Sequence, residues 1–384
     1  MPRPSRPRSG TARFAPVIGA FLKSFTYQAD TMATRPPRGP RRWPRRLVIT
    51  LIAAAILMLA WTWWSEDSPG SDRRLRSLIS QQFHAWFPTA MAPDDGWHGI
   101  HRRDPIAAAK APPILLIHGL DEPGDIWDDL APVLTQAGFA VWEFRYPNDQ
   151  GIDRSTAYLA QHWLELPADQ PLVLIGHSMG GLVAREFVSR WRHPVATSPR
   201  VEGASVGGVI LLGTPNQGSE WARLRIWLEL RDHLASKHPG RFDPLAGLRD
   251  GLGEAKIDLR PGSDFLNELN ARPWPAQVPL LIIAGRLIGP PGERLADFKA
   301  AAVAAGVGEL AEELERLDTH LGEGLGDGLV SLESARLPAV APLVVNASHR
   351  GMIRRLFADN PEPPAIAPIL ATLRHWQAGE PIGK

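Results

Sequence analysis

Cysteine is absent from this chain of 384 residues. That one absence excludes disulfides, thiol nucleophiles, acylation on cysteine and cysteine-based metal sites. It leaves the redox compartment open, because a large domain needs no staples. Net charge is also scarce, at +1. The near-neutrality hides an asymmetry. Residues 1–46 hold eleven Lys/Arg and one acid, Asp30, so the rest of the chain is mildly acidic. That balance argues against a nucleic-acid-binding globular surface. No internal repeat is visible. Apolar residues are plentiful at 44%, ample for a sizeable core. Proline and glycine gather in the tail and between the apolar runs, as in a loop-rich enzyme.

Residues Leu47–Trp64 read LVITLIAAAILMLAWTWW, with no charge and only Thr50 and Thr62 as polar groups. As a helix rising about 1.5 Å per residue, the run spans roughly 27 Å, close to the ~30 Å hydrocarbon core of a bilayer. Arg41, Arg42, Arg45 and Arg46 flank its start, and Trp61, Trp63 and Trp64 sit at its far end, as interface anchors do. Glu66 and Asp67 follow. The run predicts one transmembrane signal anchor in a bacterial-type inner membrane. The N-terminus is then cytoplasmic, and residues from about 66 onward are extracytoplasmic. A cleaved signal peptide is a second reading, but tryptophans occupy the place of its small-x-small site. A buried core helix is a third, although a run apolar on every face beside an arginine cluster is hard to pack. The tail 1–46 is basic, and its Arg/Pro-rich composition predicts disorder. Met32 is an alternative start.

Residues 65–111 read as a juxtamembrane connector, with Leu75, Leu78, Ile79 and Phe83 at helical spacing. From 112 to 384 apolar runs of strand type alternate with helix-compatible stretches. The runs are Pro113–Ile117, Phe139–Phe144, Leu172–Ile175, Val209–Leu212, Leu280–Ile283 and Leu343–Val345. Continuous β-rich runs separated by helices predict an α/β fold, with a mainly parallel sheet covered on both faces.

Gly176-His177-Ser178-Met179-Gly180 fits G-x-S-x-G, directly after LVLI and before LVAREFVSRW. Strand, tight turn and helix in that order are the setting of a nucleophile elbow. Gly176 and Gly180 leave room where a Cβ would clash between strand and helix, and the helix N-terminus favours a developing anion. Acyl transfer also needs two N–H donors for the tetrahedral oxyanion. Met179 follows the nucleophile and supplies one. Leu120, in the turn His118-Gly119-Leu120 after an earlier strand, supplies the other. His118 itself reads as a structural residue of that turn, with a catalytic role as the minor alternative.

A base and its supporting acid should follow Ser178 in the order acid, then histidine. The histidines beyond it are His193, His233, His238, His320, His349 and His375. His349 follows the last strand-like run, where a loop can reach the nucleophile, so it is the expected base. Capping a helix near Gly351 is its alternative role. The turn Ala284-Gly285-Arg286-Leu287 carries no acid. Asp327, between Gly326 and Gly328 and 22 residues before His349, is the expected acid. Asp318 and Glu323 remain as alternatives.

Together GHSMGG, the HGL turn, LLGTPNQGS, LRPGSDFLNELN, GDGLVSLESARL and SHRGMI resemble bacterial lipases and related membrane-associated acyl hydrolases of the α/β-hydrolase superfamily. The resemblance covers about residues 112–375. It implies that Ser178 is nucleophile, Asp327 acid and His349 base, with the TPNQGS stretch as a substrate-side loop. The chain departs from the family in lacking the cysteine pair of some secreted lipases and in an insertion at 288–325, expected to be a helical cover. A stripe of Trp221, Leu224 and Trp227 marks 219–262 as a candidate lid or acyl pocket, with ordinary packing on the sheet as its rival. The expected chemistry is two-step ester hydrolysis through an acyl-enzyme, on an ester or lipid-like substrate, with no cofactor or metal required. A thioesterase, phospholipase or acyltransferase would use the same groups. A catalytically decayed membrane scaffold is the reading from another class.

Overall fold

The computed structural model describes residues 45–91, 97–103, 112–120, 122, 124–220, 253–287, 324–338, 340–356 and 359–378. The chain divides into two compact units, 1–63 and 64–384. In the first, the described part is a helix, α1 (Arg45–Asp67), which contains the whole 47–64 run and ends inside the second unit. Only some of its side chains are described, and of these Ile49, Ile52, Ile56 and Leu57 are exposed. Among the described residues no helix is long and apolar enough to cross a membrane. The basic tail before residue 45 lies outside the described residues.

The second unit is built on a seven-stranded sheet. Its strands are β1 (Gly99–Arg102), β2 (Ile114–Ile117), β3 (Val141–Arg145), β4 (Leu172–His177), β5 (Val206–Leu212), β6 (Leu280–Arg286) and β7 (Leu343–Asn346). They lie in the order β1-β3-β2-β4-β5-β6-β7. Only β1 is antiparallel to its neighbour. Alternation along each strand feeds two cores. Leu115, Ile117, Leu172, Leu174, Val209 and Leu211 enter one, while Ile114, Leu116, Val173, Ile175, Ile210 and Leu212 enter the other. Both faces are therefore apolar, which is why the central strands read as unbroken hydrophobic runs. Each fully buried Leu or Ile contributes about 1.5–3 kcal/mol by leaving water.

The helices are α2 (Pro69–Trp86), α3 (Pro88–Met91), α4 (Leu130–Gln136), α5 (Ile152–His162), α6 (Met179–Glu186), α7 (Glu254–Asp258), α8 (Asp264–Ala271), α9 (Leu332–Ala335) and α10 (Ile366–Gln377). The chain order reverses across the sheet between β2 and β4, so their carboxyl ends open a crevice.

The segment read as a connector does more than connect. It supplies α2 and β1 to the second unit. Few apolar residues announce this, because polar contacts do the docking. Arg73 of α2 donates to Asp258 at 2.5 Å and to Asp153 at 2.7 Å. Arg260 donates to the Ser65 carbonyl at 2.8 Å, and Ser65 donates in turn to the buried Asp72.

Candidate active site

The strand β4 runs through Gly176 and His177 before the chain turns at Ser178 into α6. Ser178 has φ 54° and ψ −126°, and it is the only non-glycine with positive φ among the described residues. Such a conformation costs on the order of 1–3 kcal/mol and persists only where the surroundings over-determine it. Here they do. Ser178 N–H donates to Leu212 O of β5 at 2.8 Å. A Cβ on Gly180 would lie 2.1 Å from Ile117 O, and one on Gly176 would lie 2.5 Å from Gly181 N, so both positions must be bare. Met179 is fully buried at the helix start, and the Ser178 side is part-exposed.

The loop after β2 lies against this turn. A Cβ on Gly119 would come within 2.8 Å of Ser178 Cβ, so only glycine allows the approach. His118 is buried and stacked on Tyr146 at 4.5 Å, while Tyr146 Oη donates to the His118 carbonyl at 2.7 Å. Burial depresses the His118 pKa, as expected of a histidine that holds a turn. Leu120 follows, also buried.

Asp327 and His349 meet. Asp327 Oδ2 and His349 Nδ1 are 2.7 Å apart, and His349 N–H donates to the Asp327 carbonyl at 2.9 Å. The other carboxylate oxygen accepts from Leu329 N–H at 2.9 Å and Val330 N–H at 2.8 Å. Gly326 and Gly328, at φ 53° and 94°, close the turn that makes this possible. Gly285 lies in β6, paired with Val345, and not in the turn expected at 284–287; it leaves the space that Asp327 fills, since a Cβ there would lie 2.7 Å from Asp327 Cβ. With Nδ1 bound to a carboxylate, Nε2 is the lone-pair nitrogen of the neutral His349 ring.

His177 joins the two halves. Its ring centroid is 4.7 Å from that of His349. Its Nε2 lies 3.0 Å from the His349 carbonyl, and its Nδ1 lies 2.9 Å from Glu122 Oε2. Glu122 is a residue that sequence reasoning missed. An acid beside Asp121, two positions past the HGL turn, carries no mark of burial, and only the fold turns it inward. His193 is structural, accepting from Val206 N–H at 3.0 Å. His375 lies in α10, while His233, His238, His320, Asp318 and Glu323 fall outside the described residues.

So do Trp221, Leu224 and Trp227, with most of the lid segment and residues 288–323 of the insertion. The described ends of the lid segment are anchored in the body. Ser219 N–H donates to Leu259 O at 2.8 Å and its hydroxyl to Leu329 O at 2.6 Å, beside the Asp327 turn. Residues 254–259 are buried. A cavity of about 290 Å³ opens beside them, lined by Ser219, Pro261, Leu325 and Leu329 among others, and by none of Ser178, Asp327 or His349. Among the described residues no group of three or more His, Asp or Glu could hold a metal ion.

The model of the alpha/beta hydrolase family matches residues 114–380. No curated protein matches the chain. The mature lipase BlEst2 of Bacillus licheniformis is 21% identical over 71% of this chain and 97% of that one, with a TM-score of 0.45. The metagenomic carboxyl esterase MGS0156 is 19% identical over 80% and 91% of the two chains, with a TM-score of 0.47. YbtT, a type II thioesterase of the yersiniabactin pathway, is 16% identical over 73% and 99%, with a TM-score of 0.41.

Proposed function

Because the chain belongs to the alpha/beta hydrolase family, we propose that it is a serine hydrolase cleaving carboxylic esters, with Ser178 as nucleophile, His349 as base and Asp327 as the supporting acid. The observation that carries this reading is the strained φ of 54° at Ser178, at the carboxyl end of β4 and next in the chain to His177, whose ring centroid lies 4.7 Å from that of the Asp327-bound His349. Strained residues of this kind cluster at active sites, which supports a working role for the part-exposed Ser178.

In the proposed cycle His349 Nε2 takes the hydroxyl proton as Ser178 Oγ attacks the ester carbonyl. Asp327 holds the imidazolium that forms. The oxyanion is met by the N–H groups of Met179 and Leu120. Gly119 N–H is already given to Glu122 at 2.7 Å, which leaves the donor role in that loop to Leu120. Collapse expels the alcohol with the proton from His349. Water, deprotonated by the same base, then releases the acid. A thioester, a phospholipid or a non-water acceptor fits the same chemistry, so a substrate panel graded by headgroup and chain length sets the class. Ser178→Ala should abolish esterase turnover and fluorophosphonate labelling with the fold retained. Substantial labelling in that variant would sink the assignment, and absence of labelling in the wild type would favour a decayed scaffold.

The same reading puts the enzyme at a membrane through α1. The support is the uncharged run 47–64, its arginine flank and the exposed Ile49, Ile52, Ile56 and Leu57. Protease added to spheroplasts should digest residues 66–384 and spare the tail. Release of the protein by a salt wash would overturn the anchor.

A further inference from the structure

Glu122 is buried in the loop that leaves β2, and its partners lie beneath Ser178. Oε2 accepts Gly119 N–H at 2.7 Å and faces His177 Nδ1 at 2.9 Å. His177 is fully buried, and its Nε2 faces the His349 carbonyl at 3.0 Å. A carboxylate and a backbone carbonyl can only accept. Both ring nitrogens of His177 must therefore donate, and a ring that donates from both is an imidazolium. The pair is a buried cation and anion.

Burying two charges is costly, and a well-packed apolar pair would usually serve stability as well. What this pair supplies is position. Glu122 ties down Gly119, which touches the Ser178 side chain position and precedes Leu120. His177 ties down the backbone of His349, whose own N–H is bound to Asp327 O. Three loops from three strands, β2, β4 and β7, thus meet in one unit of two residues.

We propose that Glu122 and His177 are positioning residues, a carboxylate–imidazolium pair that sets the oxyanion loop and the backbone of His349 at the same time. The proposal rests on reading Ser178, Asp327 and His349 as the triad. The groups facing His177 are Glu122, the His349 ring and carbonyl, Asp327, and the edge of Trp127. Those facing Glu122 are His177, His349 and Gly119 N–H, with Tyr146 and His118 nearby. Burial opposes both charges. The attraction and hydrogen bonds within the pair outweigh it, holding the Glu122 carboxyl at about 2 and raising His177. Both directions agree with the charged state that the two acceptors around His177 require.

The test uses the full chain and a p-nitrophenyl ester. Glu122→Gln should lower kcat and the rate of fluorophosphonate labelling by roughly tenfold to a hundredfold, the usual cost of a small misplacement in an active site. KM should move little, and the alkaline limb of the kcat profile should shift to lower pH. Glu122→Asp should recover part of the rate. A Glu122→Gln enzyme that labels at the wild-type rate while Ser178→Ala does not label would overturn the pair and leave the triad standing. Labelling of Ser178→Ala would instead sink the triad. If Glu122→Gln does not fold, histidine-ring NMR of the unaltered protein decides. Two ring N–H protons on His177 at pH 7.5 support the pair, and a single one overturns it.

Discussion

Beneath Ser178 the basic groups are imidazoles: His177 between Glu122 and a backbone carbonyl, and His349 against Asp327. Along α2 they are guanidiniums. Arg73 spans Asp258 and Asp153, Arg154 meets Glu254, and Arg260 reaches Ser65. Both clusters join segments far apart in sequence. They differ in what a change of pH can do to them. A guanidinium stays charged at any pH the fold survives. Burial works against the charge on Arg73, but Asp258, Asp153 and Glu254 outweigh it and push its pKa up further. An imidazole can take or lose a proton near neutrality. The fold thus places imidazoles at the serine and guanidiniums on the clamp that holds α2.

The comparison breaks most visibly at Asp327. Asp327→Asn should cut kcat by about four orders of magnitude, the loss seen when a triad acid becomes an amide. The protein should still fold, since the turn keeps Gly326 and Gly328. Steady-state kinetics beside Asp318→Asn and Glu323→Gln checks it. Near-wild-type turnover of Asp327→Asn would mean that the GDGLV turn is structural.

At the other cluster the expected loss is of stability. Arg73→Met strands Asp258, whose side chain is 1% exposed, without its cation. Breaking a buried pair from one side costs about 3–5 kcal/mol, and the low end applies because Arg73 is itself partly exposed. Urea unfolding should show that loss, while kcat of the folded fraction stays at the wild-type value. A fall in kcat with unchanged stability would mean that α2 acts on the site.

The smallest effect sharpens the pH contrast. The Glu122 pKa is depressed to about 2, so its contribution is full above the ordinary carboxylate range and fades only as pH falls toward 2. The His177 pKa is raised, so its contribution is full below the ordinary histidine value and fades as pH rises through the raised one. Melting temperature measured from pH 6 to 10 should therefore decline on the alkaline side in the wild type and less in Glu122→Gln. Arg73→Met should keep the wild-type slope. An equal slope in the wild type and Glu122→Gln would show that His177 does not carry the titration.

Much of this was legible in the chain, for reasons that differ by region. The strands β2 to β6 announce themselves because a sheet buried on both faces needs unbroken apolar runs. The elbow announces itself through its pattern: Gly176 is demanded by contact with Gly180 and Gly181, while Gly180 is demanded by Ile117 and His118 at the end of β2. The segment β1 was not legible: Gly99–Arg102 is short, polar and antiparallel at an edge. Nor was the docking of α2, which depends on Arg73 meeting Asp258, 185 residues away.

By itself the sequence determined the alternation of strand and helix, the uncharged run 47–64 and the G-x-S-x-G turn, because periodicity, charge and residue spacing are local properties. Order and spacing already pointed to Asp327 and His349, but only the tertiary structure brings each acid onto its histidine. Asp327 meets His349 because the bare Gly285 leaves room at the end of β6. Glu122 meets His177 because β2 and β4 are neighbours, with Ile117 paired to Gly176. A buried charge pair is a contact between distant segments, and nothing in the local pattern of either residue specifies its partner.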